Sequence, residues 1–488
     1  MSRPTPTDHW HTKLARRAFL GRAAQGVGGL ALASLLDPSL LAAAELERTT
    51  SQLSHGGVLG SFHRPPQIKR VIFLCMAGGP SHLETFDYKP KLAEMDGKPM
   101  PASVTTGQPI AQLQGAELVC MGPRFEFARH GASGQEISSV LPHIAGIADD
   151  ICIIRSMHTE QINHDPAHTF MNTGTQIPGR PSMGSWINYG LGSESDDLPG
   201  FVVMTSVGGR NPQPIATRQW HNGFLPSEYQ GVEFHSQGSP VHYVQSPAGV
   251  DARVQRDVVD AVAEINRRRN DVLADPEIAA RIRAYEMAFR MQTSVPELKD
   301  LSDESAETLE LYGTKGADGS FAANCLLARR LAERGVRFIQ LYHRGWDHHN
   351  DIVPFMQQCA GYCDRPTAAL ITDLKRRGML DETLVVWTGE FGRTPMSQSG
   401  KGERLGRDHH IRGFSMFLAG GGIKGGYTHG ATDDLGYHAV EDTVDVHDLH
   451  ATMLHLLGID HLRLTYRFQG RDFRLTDIAG RVVKEILA

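Results

Sequence analysis

Six short apolar and β-branched runs recur along the chain, each emptying into glycine or polar residues. They are 69–76 (KRVIFLCM), 150–155 (DICIIR), 201–205 (FVVMT), 336–342 (VRFIQLY), 383–388 (TLVVWT) and 414–418 (FSMFL). None alternates apolar with polar positions, so they predict strands buried on both faces, as in a parallel sheet covered by helices. Helical patterns lie between them. A helix-like stretch begins near Gln135, an Ala/Leu/Arg helix is predicted over 318–334, and a last helix over about 446–458. The pattern reads as a doubly wound, mostly parallel α/β sheet. In such sheets the site lies outside the carboxyl ends of the strands.

Two stretches break the alternation. Residues 206–250 are rich in Gly, Pro, Gln and His with little periodicity and read as an ordered surface excursion. Residues 251–312 read as two or three charged helices. Together, about 206–312 form an insertion, with the helices expected to act as a cap. The main domain is taken as 66–488.

The first 44 residues stand apart. Arg3, Lys13, Arg16, Arg17 and Arg22 face only Asp8 and Asp37, and an uncharged Ala/Gly/Leu stretch follows over 23–36. Ala42, Ala43 and Ala44 then offer a small-residue cleavage site, which completes the plan of a secretory signal. Arg16-Arg17-Ala18-Phe19-Leu20 resembles a twin-arginine signal, and predicts export to the periplasm or cell envelope. The apolar run is shorter than the ~20 residues that cross a bilayer, so the mature chain is expected to have no membrane span.

Composition narrows the chemistry. The 488 residues carry a formal charge of −6, with no basic footprint for nucleic acid. Cysteines 75, 120, 152, 325, 359 and 363 are scattered; Cys359 and Cys363 share a helix face and read as buried apolar thiols. There is no Cys-x-x-Cys-His haem site and no iron–sulfur spacing. Histidine is the outlier at 24 copies, and imidazole is the commonest metal ligand.

The histidines gather where the apolar runs end. After 336–342 comes HRGWDHHND, in which Asp347 and His349, two apart in an extended segment, can point at one cation. After 383–388 comes GEFGRTP, with Glu390 at a glycine-flanked strand end and Arg393 able to hold an oxyanion in bidentate fashion. A Glu–Arg surface pair is the plainer alternative there. Gly406-Arg407-Asp408-His409-His410 sits in a loop before 414–418, offering Asp408 and His409 as ligands or Asp408 as a carboxylate orienting an imidazole. The mixed N/O character suits Zn²⁺, Mn²⁺ or Fe²⁺ better than Ca²⁺. Upstream, Gly78-Gly79-Pro80-Ser81-His82 follows the first run, where a glycine pair lets backbone approach an anion. HTEQINHDPAH over 158–168 follows the second; Pro166 signals a helix start that leaves His164 at its positive end. Histidines acting as structural caps are the alternative reading. His447 and His450 are read as surface or capping residues.

These motifs together resemble the DUF1501 family, a group of exported, sulfatase-like bacterial proteins. The likeness rests on GGPSHLETFDYKPK at 78–91, GWDHHND at 345–351, TGEFGRTP at 388–395, GRDHH at 406–410 and FSMFLAGGGIKGGYTHGATDDLG at 414–436. It runs from about residue 66 to the C-terminus. The resemblance implies the alkaline-phosphatase-like superfamily, with one or two divalent metals at the strand ends and attack on a phosphate or sulfate ester between them. Asp347, with His349 or Asp351, falls at the superfamily's first metal, and His409 at that metal's last histidine. Glu390 falls at the second metal, but Phe391 replaces the histidine that usually follows. The first strand ends in Gly78-Gly79 instead of an acidic ligand, with Ser81, His82 and Asp87 further on. The position of the usual nucleophile aligns near His164, ahead of Thr173-Gly174.

Two functions are therefore expected to compete. One is an exported metal-dependent hydrolase of a sulfate or phosphate ester, small-molecule or polysaccharide. In it, Asp347, His349, Glu390, Asp408 and His409 supply metal ligands, Ser81, His82 and His164 the catalytic groups, and Arg393 or Arg407 the anion clamp. The other is a non-catalytic envelope protein of the same fold that binds a polysaccharide or protein partner through the insertion.

Overall fold

Strands buried on both faces form wherever an uninterrupted apolar run can lie between helical layers. The computed structural model, which describes residues 56–241, 250–273, 276–398 and 404–488, places the predicted runs in this way. The predicted signal segment lies outside the described residues. The strands that matter for the site are β1 (Arg70–Met76), β2 (Ile151–His158), β3 (Phe201–Thr205), β4 (Val232–Phe234), β5 (Phe338–His343), β6 (Thr383–Thr388), β7 (Gly392–Ser397), β8 (Arg407–His410) and β9 (Phe414–Ala419). Every residue of β1, β5, β6 and β9 is buried.

The main sheet runs Tyr427–His429, β2, β9, β6, β1, β5, β3, β4, with Val444–Asp445 also paired to β2. At its centre β1 lies parallel to both β5 and β6, with Val71 opposite Phe338 and Leu384. Of the main strands only β9 is reversed, antiparallel to β6 and β2. Its start therefore faces the same way as the ends of β1, β2, β5 and β6, and whatever precedes it joins their loops. What precedes it is the two-stranded hairpin of β7 and β8.

The helices used below are α1 (His164–Thr173), α2 (Ala252–Leu273), α3 (Pro276–Lys299), α4 (Ala306–Tyr312), α5 (Phe321–Glu333), α6 (Ile352–Arg376) and α7 (Val446–Leu456). Among the described residues no helix is long and apolar enough to cross a membrane. Cys359 and Cys363 on α6 are buried free thiols.

The structure corrects two local expectations and sharpens two others. The stretch from Gln135 is a strand, Gln135–Ser138, because buried Gln135 and Ile137 alternate with half-exposed Glu136; helix resumes only at Pro142. Residues 206–250 are not all surface: β4 adds an edge strand beside β3, and Trp220 packs on Tyr342 with ring centroids 6.1 Å apart. In the insertion, α2 and α3 pair, and α3 leans on Ser227–Tyr229 and α5; the expected cap is thus seated beside the β3–β4 edge. His447 and His450 are buried, and each Nε2 donates at 2.8 Å to a carbonyl at the C-terminal end of α1, Gly174 and Met171 respectively. They cap α1, as one of the two expected roles had it.

Such burial predicts a pH dependence. Burial lowers the pKa of His343 to about 4 and, as the first cause, that of His450 to about 3. In the unfolded chain both titrate near 6.5, so between those values the unfolded state holds more protons. Stability is complete above about pH 6.5 and declines as the pH falls toward 4 and 3. At pH 5 each histidine should cost about 2 kcal/mol. Urea unfolding at pH 7 and pH 5 checks this, and an unchanged midpoint would refute it.

Candidate metal centre

The site is assembled by four loops and a hairpin. After β1 the chain turns through Gly78 (φ +123°) and Gly79 (φ +77°), and a Cβ at Gly78 would lie 2.4 Å from the backbone nitrogen of Asp347. Only glycine allows this approach of the β1 and β5 loops. The Gly78 N–H then donates to both carboxylate oxygens of Glu390, at 3.0 and 3.1 Å. Gly78→Ala should therefore cost about 1–3 kcal/mol in backbone strain alone, with more from the clash. It should also push Asp347 out of place, read as a lower melting temperature together with weaker metal binding.

Asp347 is the hub. Its Oδ1 lies 2.8 Å from His349 Nε2 and 3.3 Å from both His164 Nε2 and His409 Nε2. His349 Nε2 and His409 Nε2 are themselves 3.0 Å apart. The opposite nitrogens are held by oxygen acceptors: His409 Nδ1 donates to Ile162 O at 2.8 Å, His164 Nδ1 to Glu390 Oε1 at 2.6 Å, and His349 Nδ1 to Gln398 Oε1. With each Nδ1 so engaged, the three Nε2 atoms and the Asp347 carboxylate meet at one point. Such a set of nitrogen and oxygen donors suits a divalent ion, with the outer partners fixing each ring as in known metal sites.

The electrostatics agree. Burial works to raise the pKa of Asp347, but Arg393 and the three imidazoles outweigh it and hold the carboxyl far below the ordinary range. Burial lowers His409 to about 4, keeping it neutral and ready to ligate. Burial also opposes charge on His164, yet Asp347 and Glu390 on either side raise its pKa. The side chains of Asp347, His164 and His349 keep 14, 15 and 19% exposure, so the centre opens to solvent.

A second group lies beneath it. His164, Glu390 and His168 also converge, with His168 Nε2 3.4 Å from Glu390 Oε1 and both residues fully buried. Neither ring nitrogen of His168 makes a hydrogen bond. Burial acts to raise Glu390, but His168 and His164 bring it down to about 2. His168 was not among the expected site residues. Its signal was the four-residue spacing from His164, which on a helix puts both rings on one face. Phe391 packs against His164 and His409, at 5.0 and 4.7 Å between ring centroids.

Other expected residues have partners of their own. Arg393 is buried and committed: it pairs with Asp347 at 2.5 Å and donates to Gly78 O, Gly79 O and Arg407 O. Arg407, wholly buried, pairs with equally buried Glu84 at 2.7 Å and donates to the carbonyls of Met121, Gly122 and Thr394. Ser81 Oγ donates to Glu84, and His82 Nε2 donates to Gly436 O at 2.8 Å. Asp408 turns from the centre to accept from the Gln112 and Leu113 amides at 2.6 and 3.2 Å. Residues 407–410 form a strand and not the expected loop.

A family model described as "Protein of unknown function (DUF1501)" matches residues 68–487. No curated protein matches the chain. Among solved structures it is similar to the PsFucS1 sulfatase from Pseudoalteromonas sp., at 13% identity and TM-score 0.33, covering 85% of this chain and 70% of that one. It is also similar to the phosphonate monoester hydrolase SpPMH from Silicibacter pomeroyi, at 12% identity and TM-score 0.32, covering 86% and 76%. A third is the lipoteichoic acid synthase LtaP from Listeria monocytogenes, at 10% identity and TM-score 0.34, covering 88% and 80%.

Proposed function

The chain belongs to the DUF1501 family, and from that premise we propose that it is an exported, metal-dependent hydrolase of sulfate or phosphate esters. The observation that carries this reading is the inward convergence of His164, His349 and His409 Nε2 on Asp347, in a solvent-open position. These four residues would hold one Zn²⁺, Mn²⁺ or Fe²⁺; His168 and Glu390, sharing His164, would hold a second ion or keep a proton. A bound divalent ion supplies Lewis-acid polarisation of the ester and an acidified water. The chain's own groups orient and neutralise. Arg393 balances the charge of Asp347 and fixes its rotamer, and Glu390 holds the proton on His164 Nδ1. With the Ser81 hydroxyl given to Glu84, water is the proposed attacking group.

The full chain, expressed with its leader and recovered from the envelope fraction, is analysed for bound metal and screened with sulfate and phosphate monoesters, with and without chelator. One or two ions per chain and chelator-sensitive turnover are expected. Protein without metal would overturn the reading. Metal without turnover would favour the non-catalytic alternative, which the sequestration of Ser81 and Arg407 supports.

A further inference from the structure

The segments bearing His164 and His409 run side by side away from the metal centre. Thr159 N donates to Ile411 O at 2.9 Å, and His409 Nδ1 donates to Ile162 O at 2.8 Å. At the far end of this pairing lies a cavity of about 350 Å³ lined by Gln108, His158, Arg412, His438, Ala439 and Thr443. Three of these six side chains can carry positive charge and none is acidic. Gln108 and Thr443 add neutral donors.

The walls are fixed. Ala439 N donates to Arg412 O at 2.7 Å, and His438 Nε2 donates to Val104 O at 3.2 Å. The loop that carries Gln108 is pinned at Gln112 and Leu113 by Asp408, the neighbour of His409. Three residues of extended chain cover at most about 10 Å, so the Cα atoms of Arg412 and His409 lie within that distance.

We propose that this cavity is a second oxyanion site, which takes a further sulfate or phosphate group of a substrate whose scissile ester lies at the metal centre. The substrate class is then an oligomer bearing more than one such group. The word substrate rests on the hydrolytic reading; the anion site does not. Arg412 supplies a planar fork matched to a tetrahedral oxyanion, and His158 and His438 flank it.

The test separates the two. Inorganic sulfate and, separately, inorganic phosphate are titrated calorimetrically into the full chain carrying His349→Ala, which weakens the metal centre and leaves the cavity intact. Saturable binding of one or both is expected, and the arm that binds names the anion. Adding Arg412→Gln, a change at an exposed residue, should weaken binding at least about tenfold, as expected for a lost bond to a charged group; His158→Gln should weaken it less. No binding, or binding indifferent to Arg412→Gln, overturns the proposal. In the otherwise native protein, Arg412→Gln should raise KM for an ester bearing two sulfate or phosphate groups but not for one bearing a single such group. Anion binding that depends on Arg412 in a protein that hydrolyses no ester would keep the site and discard the hydrolytic reading.

Discussion

Exchanging Asp347 for asparagine should leave the chain folded and strip it of its metal. Asparagine keeps the shape and a carbonyl oxygen that can still accept from Arg393, so the buried guanidinium is not abandoned. What disappears is the negative charge at the meeting point of three imidazoles. Loss of a partner in the outer shell alone costs roughly 10–100-fold in metal affinity, and loss of this ligand should exceed that. Any ester turnover should fall by at least the same factor. Metal analysis after dialysis, beside circular dichroism, checks both halves. Full metal retention in a folded Asp347→Asn protein would remove Asp347 from the centre.

The second large effect is on stability. Glu84 and Arg407 have no exposed side-chain surface and meet at 2.7 Å. Removing one partner of a buried pair strands the other charge and costs about 3–5 kcal/mol. Glu84→Ala should lower the unfolding free energy by about that much, and it should loosen the β7–β8 hairpin that presents His409. Replacing the pair together, with Glu84→Leu and Arg407→Met, should recover much of the loss, because no bare charge remains. Chemical denaturation of Glu84→Leu, Arg407→Met and the double variant gives the coupling. A double variant as unstable as the sum of the singles would refute this account.

The strands were legible because a strand covered on both faces has no polar alternation to hide it. The cluster was legible where spacing alone aligns side chains: Asp347 and His349, two apart in an extended run, do meet, Oδ1 to Nε2 at 2.8 Å. Asp408 and His409 misled for the complementary reason. Read as a loop, both could turn inward; in a strand successive side chains face opposite ways, so His409 enters the centre while Asp408 holds Gln112 and Leu113. The arginines misled because burial is not written locally. The carboxylate that claims Arg407 sits 323 residues away in the chain, and nothing near Arg407 announces it. His168 needed the helix to be known before its fourfold spacing from His164 could count.

The reversed strand β9 has a consequence for biosynthesis. Because it alone carries the hairpin with His409 to the mouth of the sheet, a nascent chain that has emerged only as far as Glu390 owns most of the donors and no closed coordination sphere. On the proposed function, capture of an ion would then be a late event, tied to the docking of β9 between β6 and β2. The compartment in which that strand docks would, through the metals it offers at that moment, decide which ion the finished protein keeps.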